Sequence, residues 1–254
     1  MKRKPKIGIC AANKMGNQIV SFLAKEGYEV KFIATCERDE SGFEDKIIKS
    51  ANKLTHNIFR RINTENQKFI DFLYKEKIDL IILAWWPSIV KENSIGLVKV
   101  GWLNMHPSLL PFGRGKHPYY WTIVEETPFG ASLHLINKNI DSGPIIYQKE
   151  IPYSFSDTGE SLYQKGYQAL YELFTDNCKE IMGLKFTAKK QDDSKSTFHL
   201  SKQLDINSEI KPNKKYLAKD LINIIRARTF MEGESAFMYV DRKKYYLKLI
   251  IKEA

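Results

Sequence analysis

Asp79-Leu-Ile-Ile-Leu-Ala84 is an unbroken apolar run with no polar residue alternating through it. That is the pattern of a strand buried on both faces of a parallel sheet. Upstream, Lys6-Ile-Gly-Ile-Cys-Ala11 reads as a first strand, followed by a loop and an amphipathic helix over 15–26. Residues 28–35 read as a second strand, with Glu29 and Lys31 alternating against Val30 and Phe32. Polar helices are predicted over 43–51 and 65–74. Strands and helices alternating at this spacing argue for βαβ units. The dinucleotide fingerprint G-x-G-x-x-G is missing, because Gly8 lies inside the first strand and Gly16 follows eight residues later. The glycines that would admit a pyrophosphate are misplaced, which argues against NAD.

Downstream the pattern changes. Gly101-Trp-Leu-Asn-Met-His106 is a short strand stopped by Pro107, and a Pro/Gly/Arg-rich stretch runs on to Pro118. A helix is predicted over 119–126, then strands over 130–137 and 143–152 separated by Lys138-Asn-Ile-Asp-Ser142. Thr158 and Ser161 open a helix reaching 182, with Leu162, Tyr163, Gly166, Tyr167, Leu170 and Phe174 as its apolar stripe. Residues 185–215 are polar and read as a linker or loop. A helix over 216–229, with Leu217, Leu221, Ile224 and Ile225 inward, leads to a hairpin of strands 235–240 and 244–251 joined through Asp241-Arg-Lys243. The expected architecture is α/β, a Rossmann-like, mostly parallel sheet flanked by helices. It comprises a main domain over 1–184, the linker 185–215, and a small C-terminal helix plus β-hairpin appendage over 216–254.

Composition narrows the class. The chain has 254 residues, 43% of them hydrophobic, enough for a sizeable core. The densest apolar run, 80–86, is too short to cross a bilayer, so membrane insertion is not expected. The basic start Met1-Lys-Arg-Lys-Pro-Lys6 is followed by apolar residues only as far as Ala12, too few for a signal h-region. Cys10, Cys36 and Cys178 are odd in number and lack metal-ligand spacing, which fits a reduced cytoplasmic compartment and no metal. The net charge is +10, and residues 184–254 hold 16 Lys+Arg against 9 Asp+Glu. Such a balance suits an anionic partner, whether nucleic acid, a membrane surface or a phosphate-bearing small molecule; a Lys-rich proteome would give it too.

Asn104 and His106 are two apart on a strand, so their side chains share a face. They lie at the strand's C-terminal end, where open α/β sheets place their ligands. Asp141 sits in a later loop from which it can reach them. An amide N–H stabilises the oxyanion formed when an amine attacks a carbonyl. An imidazole relays protons, and a carboxylate holds its tautomer or raises its pKa. Neither Cys nor Ser is paired with a base nearby, so direct attack by a substrate amine is favoured over a covalent intermediate. A lone His near a strand end is more often structural; His56, His134 and His199 are given no role, His134 because it alternates into a strand and the others because their surroundings are polar.

The joint pattern changes that weighting. Asn104-Met-His106-Pro-Ser108-Leu-Leu-Pro111, Arg114-Gly115, Pro118, Trp121, Gly130, His134 and Ile140-Asp141-Ser-Gly143, with Asp141 35 residues after His106, resemble the formyltransferases that use N10-formyltetrahydrofolate. The resemblance is strong over 75–155 and weak at the N-terminus. It implies that Asn104, His106 and Asp141 are the catalytic triad. His106 and Asp141 would assist proton removal from the amine, and Asn104 with protonated His106 would stabilise the oxyanion. It also implies a reduced-folate pocket bordered by the segment 83–89 and the loop 137–141, with Leu83, Trp85, Trp86, Ile89, Asn137 and Ile140 as candidate contacts. Trp85-Trp86-Pro87 suits such a wall, since flat pterins stack on aromatic faces; one Trp of the pair is expected there and the other in the core.

The acceptor is read from the tail. The 70 residues after Leu184 are more than glycinamide ribonucleotide enzymes carry beyond their catalytic domain, and fewer than the β-barrel of methionyl-tRNA formyltransferases requires. The segments Arg226-Ala-Arg228-Thr-Phe230, Lys243-Lys-Tyr-Tyr246 and 115–126 look like those of bacterial sugar N-formyltransferases, which act on dTDP- or UDP-linked amino sugars for surface polysaccharide such as O-antigen. The resemblance therefore implies a nucleotide-linked amino deoxysugar as partner, dTDP-4-amino-4,6-dideoxyglucose first among them. Asn13, Lys14, Arg114 and His117 are the candidate substrate-binding residues, although the first loop departs from the family's glycine-rich form, and Arg114 and His117 have an alternative task in ordering the catalytic loop. The C-terminal helix and hairpin are a candidate homodimer interface. Methionyl-tRNA formylation is the alternative within the class. A basic nucleic-acid-binding module is the alternative outside it, but leaves the Asn/His/Asp pattern unexplained.

Overall fold

The computed structural model describes residues 3–231 and 235–252. The first strand, β1 (Ile7–Ala11), is buried throughout and leads into α1 (Asn13–Lys25). β2 (Phe32–Cys36), α2 (Glu44–Ala51), β3 (Ile58–Ile62), α3 (Gln67–Glu76), β4 (Leu80–Ala84), α4 (Glu92–Ile95) and β5 (Gly101–His106) follow in turn. β6 (Arg114–Gly115), α5 (Pro118–Glu125), β7 (Gly130–Leu135), β8 (Ile145–Glu150), α6 (Gly159–Asp176) and α7 (Cys178–Met182) come next. The chain ends with β9 (Phe198–His199), α8 (Lys202–Ser208), α9 (Ala218–Ala227), β10 (Ala236–Val240) and β11 (Lys243–Leu247). The fold is α/β: a seven-stranded sheet in the order β3-β2-β1-β4-β5-β7-β8 with a separate C-terminal hairpin.

The β1/β2, β2/β3, β1/β4 and β4/β5 pairs are parallel. Strand order reverses between β1 and β4, so the C-terminal ends of these strands flank a topological switch point, where α/β sheets bind ligands. The core there is aromatic. Phe32 meets Phe59, Phe69 and Phe72 edge-on, and Trp102 is fully buried. Gly8 belongs to this packing and not to a nucleotide loop, because a Cβ on it would overlap the Phe32 ring.

Two sequence expectations change here. The second strand is Phe32–Cys36 and is buried at every position. Residues 28–31 are outside it; the Tyr28 amide donates to Leu23 O at the end of α1 and the Lys31 amide to Ile7 O. The Ile58–Ile62 strand went unpredicted because it lies at the sheet edge and carries exposed Arg60 and Arg61, which break the apolar signal.

The chain divides into two compact units. One holds residues up to His106 together with 133–147 and 170–190; the other holds 107–132, 148–169 and 191 onward. In the second unit, Tyr120, Trp121, Ile123, Phe129, Leu162, Leu204 and Ala227 form one apolar cluster, with α5 against α9. The stretch 185–215, polar in composition, holds a 3₁₀ turn (Asp193–Lys195), β9 paired with β6, and α8. The predicted 158–182 helix is two: α6 ends before Asn177, whose side-chain amide donates to Leu173 O, and α7 restarts beyond it.

The inward face of α9 is also different from the expectation. Asn223, Arg226 and Ala227 are its buried residues, Leu217 is 73% exposed, and Leu221, Ile224 and Ile225 are half-buried. Arg226 explains the rotation, since its guanidinium donates to Asn223 Oδ1 and to the carbonyls of Ser154 and Asp157. The hairpin turns through two residues, Asp241 and Arg242, both with positive φ as a type I′ turn requires. Tyr245 and Tyr246, which strand alternation turns to opposite faces of β11, are both about half exposed.

Candidate active site

β5 delivers Asn104 and His106 to one face and buries Met105 on the other. His106 is 6% exposed and Asn104 half-buried. Asp141 arrives from the loop between β7 and β8. Asn137 Oδ1 ties that loop by accepting from the Asn139 amide and the Ser142 hydroxyl. Asp141 itself adopts φ 50, a left-handed conformation tolerated by Asp. Gly143 then lets the loop close, because a Cβ at this position would collide with Leu135 O. That contact is the physical reason for a glycine two residues beyond the aspartate.

The carboxylate of Asp141 is shared. Its Oδ1 accepts from Asn104 Nδ2 at 3.3 Å, and its Oδ2 lies 3.6 Å from His106 Nδ1. The second distance is an ion pair's reach and longer than a hydrogen bond. His134, to which the sequence assigned no role, is the fourth member. It is fully buried, its Nε2 lies 3.2 Å from Asn104 Nδ2 and 3.5 Å from Asp141 Oδ1, and its Nδ1 lies 2.9 Å from Leu135 O. Its position on β7, adjacent to β5 in the sheet, was the available signal, but it needs the strand order, which a single sequence does not give. The first unit therefore brings Asn104, His106 and Asp141 together, with all three strand and loop segments contributed from within it.

The expected folate wall is mixed. Leu83 and Trp86 are in the core cluster of the first unit, whereas Trp85 is half-buried and Ile89 and Ile140 are exposed. Asn137 is exposed with its side-chain oxygen turned to its own loop. Trp85 takes φ 60, a strained value for a bulky residue and one that clusters at functional sites. Trp86 Nε1 is buried and has no hydrogen-bond partner among the described residues.

Of the candidates for substrate phosphate, Asn13 opens α1 with its amide donating to Asp39 Oδ2 and its Oδ1 accepting from the Met15 amide. Burial works to raise the Asp39 carboxyl, but the Asn13 amide and Ser41 outweigh it and hold it low. An acidic side chain thus sits where an anion would be cradled; Lys14 next to it is exposed. In the second unit, Arg114 is 8% exposed and donates from Nε and Nη2 to Gln191 Oε1 and from Nη2 to Asp193 Oδ1. It carries the ordering task, pinning the 191–193 segment beside β6. His117 precedes α5 with Nε2 3.3 Å from Ser201 Oγ, and burial followed by the charges of Arg228 and Lys116 lowers its pKa. His199 has one polar and one apolar neighbour: its Nε2 meets Glu125 at 2.6 Å and its ring stacks on Trp121 at 3.6 Å.

Residues 11–177 match the family model described as formyl transferase, and residues 203–253 match one described as N-formyltransferase dimerization C-terminal domain. The chain belongs to the formyl transferase family. It is 32% identical over 244 residues to the bifunctional polymyxin resistance protein ArnA of Wigglesworthia glossinidia brevipalpis, a match covering 94% of this chain and 36% of that protein. The chain thus spans about a third of the length of this curated relative. Among solved structures, a sugar N-formyltransferase from Shewanella superposes with a TM-score of 0.81 at 21% identity, covering 98% of this chain and 99% of that one. An N-formyltransferase from Helicobacter canadensis, solved with folinic acid and dTDP-3-aminofucose, gives 0.74 at 22% identity over 94% of this chain and 86% of that one. These likenesses establish a shared fold. Among the described residues no helix of this family member is long and apolar enough to cross a membrane, and no group of three or more His, Cys, Asp or Glu is arranged to hold a metal ion.

Proposed function

We propose that the chain transfers the formyl group of N10-formyltetrahydrofolate to the amino group of a nucleotide-linked amino deoxysugar. The observation that carries this reading is the Asp141 carboxylate lying between Asn104 and His106 at the C-terminal end of β5. No thiol or hydroxyl nucleophile is needed: the three cysteines are buried and free. The reduced folate supplies the carbonyl carbon that the amine attacks. His106, backed by Asp141, takes the proton the amine loses; as the oxyanion collapses the bond from the formyl carbon to folate N10 breaks, and N10 leaves with that proton as tetrahydrofolate. The Asn104 amide donates toward the formyl oxygen as negative charge grows there.

The folate side fits the residues present. Trp85 is half-buried in a strained conformation at the end of β4, and Trp86 Nε1 is an unmatched buried donor next to it in sequence. Ile89, Asn137 and Ile140 expose further surface on the flanking loops. Lys14 in the first unit and, separately, His117 in the second remain proposed contacts for the nucleotide, while Asn13 engages Asp39 and Arg114 engages Gln191.

The sugar acceptor is favoured over methionyl-tRNA because residues 203–253 match the N-formyltransferase dimerization C-terminal domain and because the Helicobacter relative's complex holds dTDP-3-aminofucose. A dTDP-linked 4-amino-4,6-dideoxyglucose, of the kind used in surface polysaccharide, is the first substrate to try. The domains are assigned accordingly: 1–184 catalytic and 216–254 for pairing, with 185–215 connecting them. Leu217, Tyr239, Val240, Tyr245 and Tyr246 expose apolar surface on α9 and the hairpin, supporting a homodimer through this region. Buried free thiols suit a cytoplasmic setting.

The test is to incubate the protein with N10-formyltetrahydrofolate and a panel of dTDP- and UDP-amino sugars, with methionyl-tRNA alongside, and to read products by mass. One added formyl on a sugar nucleotide is the expected result. Product on tRNA alone would overturn the acceptor.

A further inference from the structure

We infer that His134 is a positioning residue, which fixes the orientation of the Asn104 amide through its own Nδ1–H tautomer; this rests on the formyl-transfer reading of Asn104. Nδ1 of His134 lies 2.9 Å from Leu135 O. A carbonyl only accepts, so the ring proton belongs on Nδ1 and Nε2 is left as an acceptor. Nε2 is 3.2 Å from Asn104 Nδ2, and the other acceptor on that side, Asp141 Oδ1, is 3.3 Å from the same nitrogen. Two acceptors on one side leave a single choice for the amide: its NH2 faces them. Had His134 carried its proton on Nε2, that hydrogen would compete for Asp141 Oδ1, 3.5 Å away, and call the Asn104 oxygen toward it.

The consequence is specific to the chemistry. One N–H of Asn104 is held by the His134 ring, which is fully buried on β7. The other N–H points at Asp141, a loop residue whose second oxygen already faces His106. When His106 gains the proton of the amine, its charge draws the carboxylate, and this N–H is released to the formyl oxygen. His134 keeps the amide from turning at that moment. A structural histidine would hold the fold without this dependence on Asn104.

The experiment is a double-mutant cycle between His134→Asn and Asn104→Ala, with His134→Gln as the conservative variant and kcat, KM and Tm measured for each. His134→Asn keeps a donor for Leu135 O and loses the acceptor at Nε2. It is expected to lower kcat on the order of tenfold to a hundredfold with both KM values within about twofold. In the Asn104→Ala background the same change is expected to cost nothing further, because its effect passes through Asn104. His134→Gln, which can place an oxygen near Nε2, is expected to recover most of the loss. Independent losses from the two substitutions would overturn the inference. Full activity in Asn104→Ala would instead defeat the underlying reading. Should His134→Asn unfold, the ¹⁵N spectrum of the histidine-labelled native protein decides: a protonated Nδ1 on His134 supports the inference and a protonated Nε2 overturns it.

Discussion

Asp141 Oδ2 stands 3.6 Å from His106 Nδ1, too far for a hydrogen bond, while Oδ1 of the same carboxylate accepts from Asn104. One carboxylate thus faces both the amide and the imidazole. Asp141→Asn keeps the size of the side chain and removes the charge. It is expected to fold normally and to lose about 10²–10⁴-fold in kcat, the range for loss of general acid–base assistance. Steady-state kinetics with matched circular dichroism would check this; a loss confined to KM would contradict it.

Asn104→Ala and His106→Asn remove the amide donor and the proton acceptor in turn. Removing a single oxyanion donor costs about 10²–10³-fold in kcat, and the double variant should lose much less than the product of the two single losses if the groups act together. Near wild-type turnover in either single variant would sink the assignment.

The legible part of this site was local. β5, with Asn104 and His106 on one face, can be read from Gly101–His106 because the parity of a strand and the stop at Pro107 are sequence properties. Asp141 is legible as a loop residue, but its approach depends on Gly143 fitting under Leu135 O. His134 was missed because its contact with Asn104 is created by the neighbouring placement of β5 and β7, 30 residues apart in sequence. Arg114 was legible only as a choice between binding phosphate and ordering the catalytic loop, because its partners Gln191 and Asp193 lie 77 and 79 residues away, beyond any local pattern. The buried side of α9 was misplaced for a related reason, since Arg226 is buried by carbonyls from the 154–157 turn.

Arg114→Met separates two roles. It removes the Arg114 donors from Gln191, which is 5% exposed, and from Asp193. The loss expected is about 1–3 kcal/mol, because the Asp193 partner is largely solvated and contributes less than a buried pair would. A thermal melt would show it. An unchanged melt with a raised KM for the nucleotide sugar would restore the phosphate reading.

The thiols should be silent in the folded protein. Burial raises the Cys10 thiol well above its ordinary value, with Cys36 adding to it, and burial pushes Cys178 up to about 11. Only thiolate reacts with disulfide reagents. Titration with such a reagent at neutral pH is expected to find no fast-reacting thiol in the native state, and all three after denaturation. A rapid native reaction would mean that the first strand pair opens readily.

The second unit has its own acid-sensitive anchor. Burial works to raise the Asp157 carboxyl, but hydrogen bonds from Lys165, the Ser154 amide and Ser161 outweigh it and leave the pKa below the ordinary value. A carboxyl lowered in the folded state favours folding above its unfolded pKa, about 4, and that contribution is lost as pH falls through the lower folded value. Asp157→Asn should therefore be less stable than the native protein at pH 7, by about 1–3 kcal/mol, the cost of a lost charge-assisted hydrogen bond at a partly exposed lysine. Lys165 is 41% exposed, which places the expectation at the lower end. Below pH about 4 the difference should shrink as the native carboxyl takes up its proton. Urea unfolding of both proteins at neutral and acid pH measures the gap. A gap of constant size across that range would mean that Asp157 does not act through its charge.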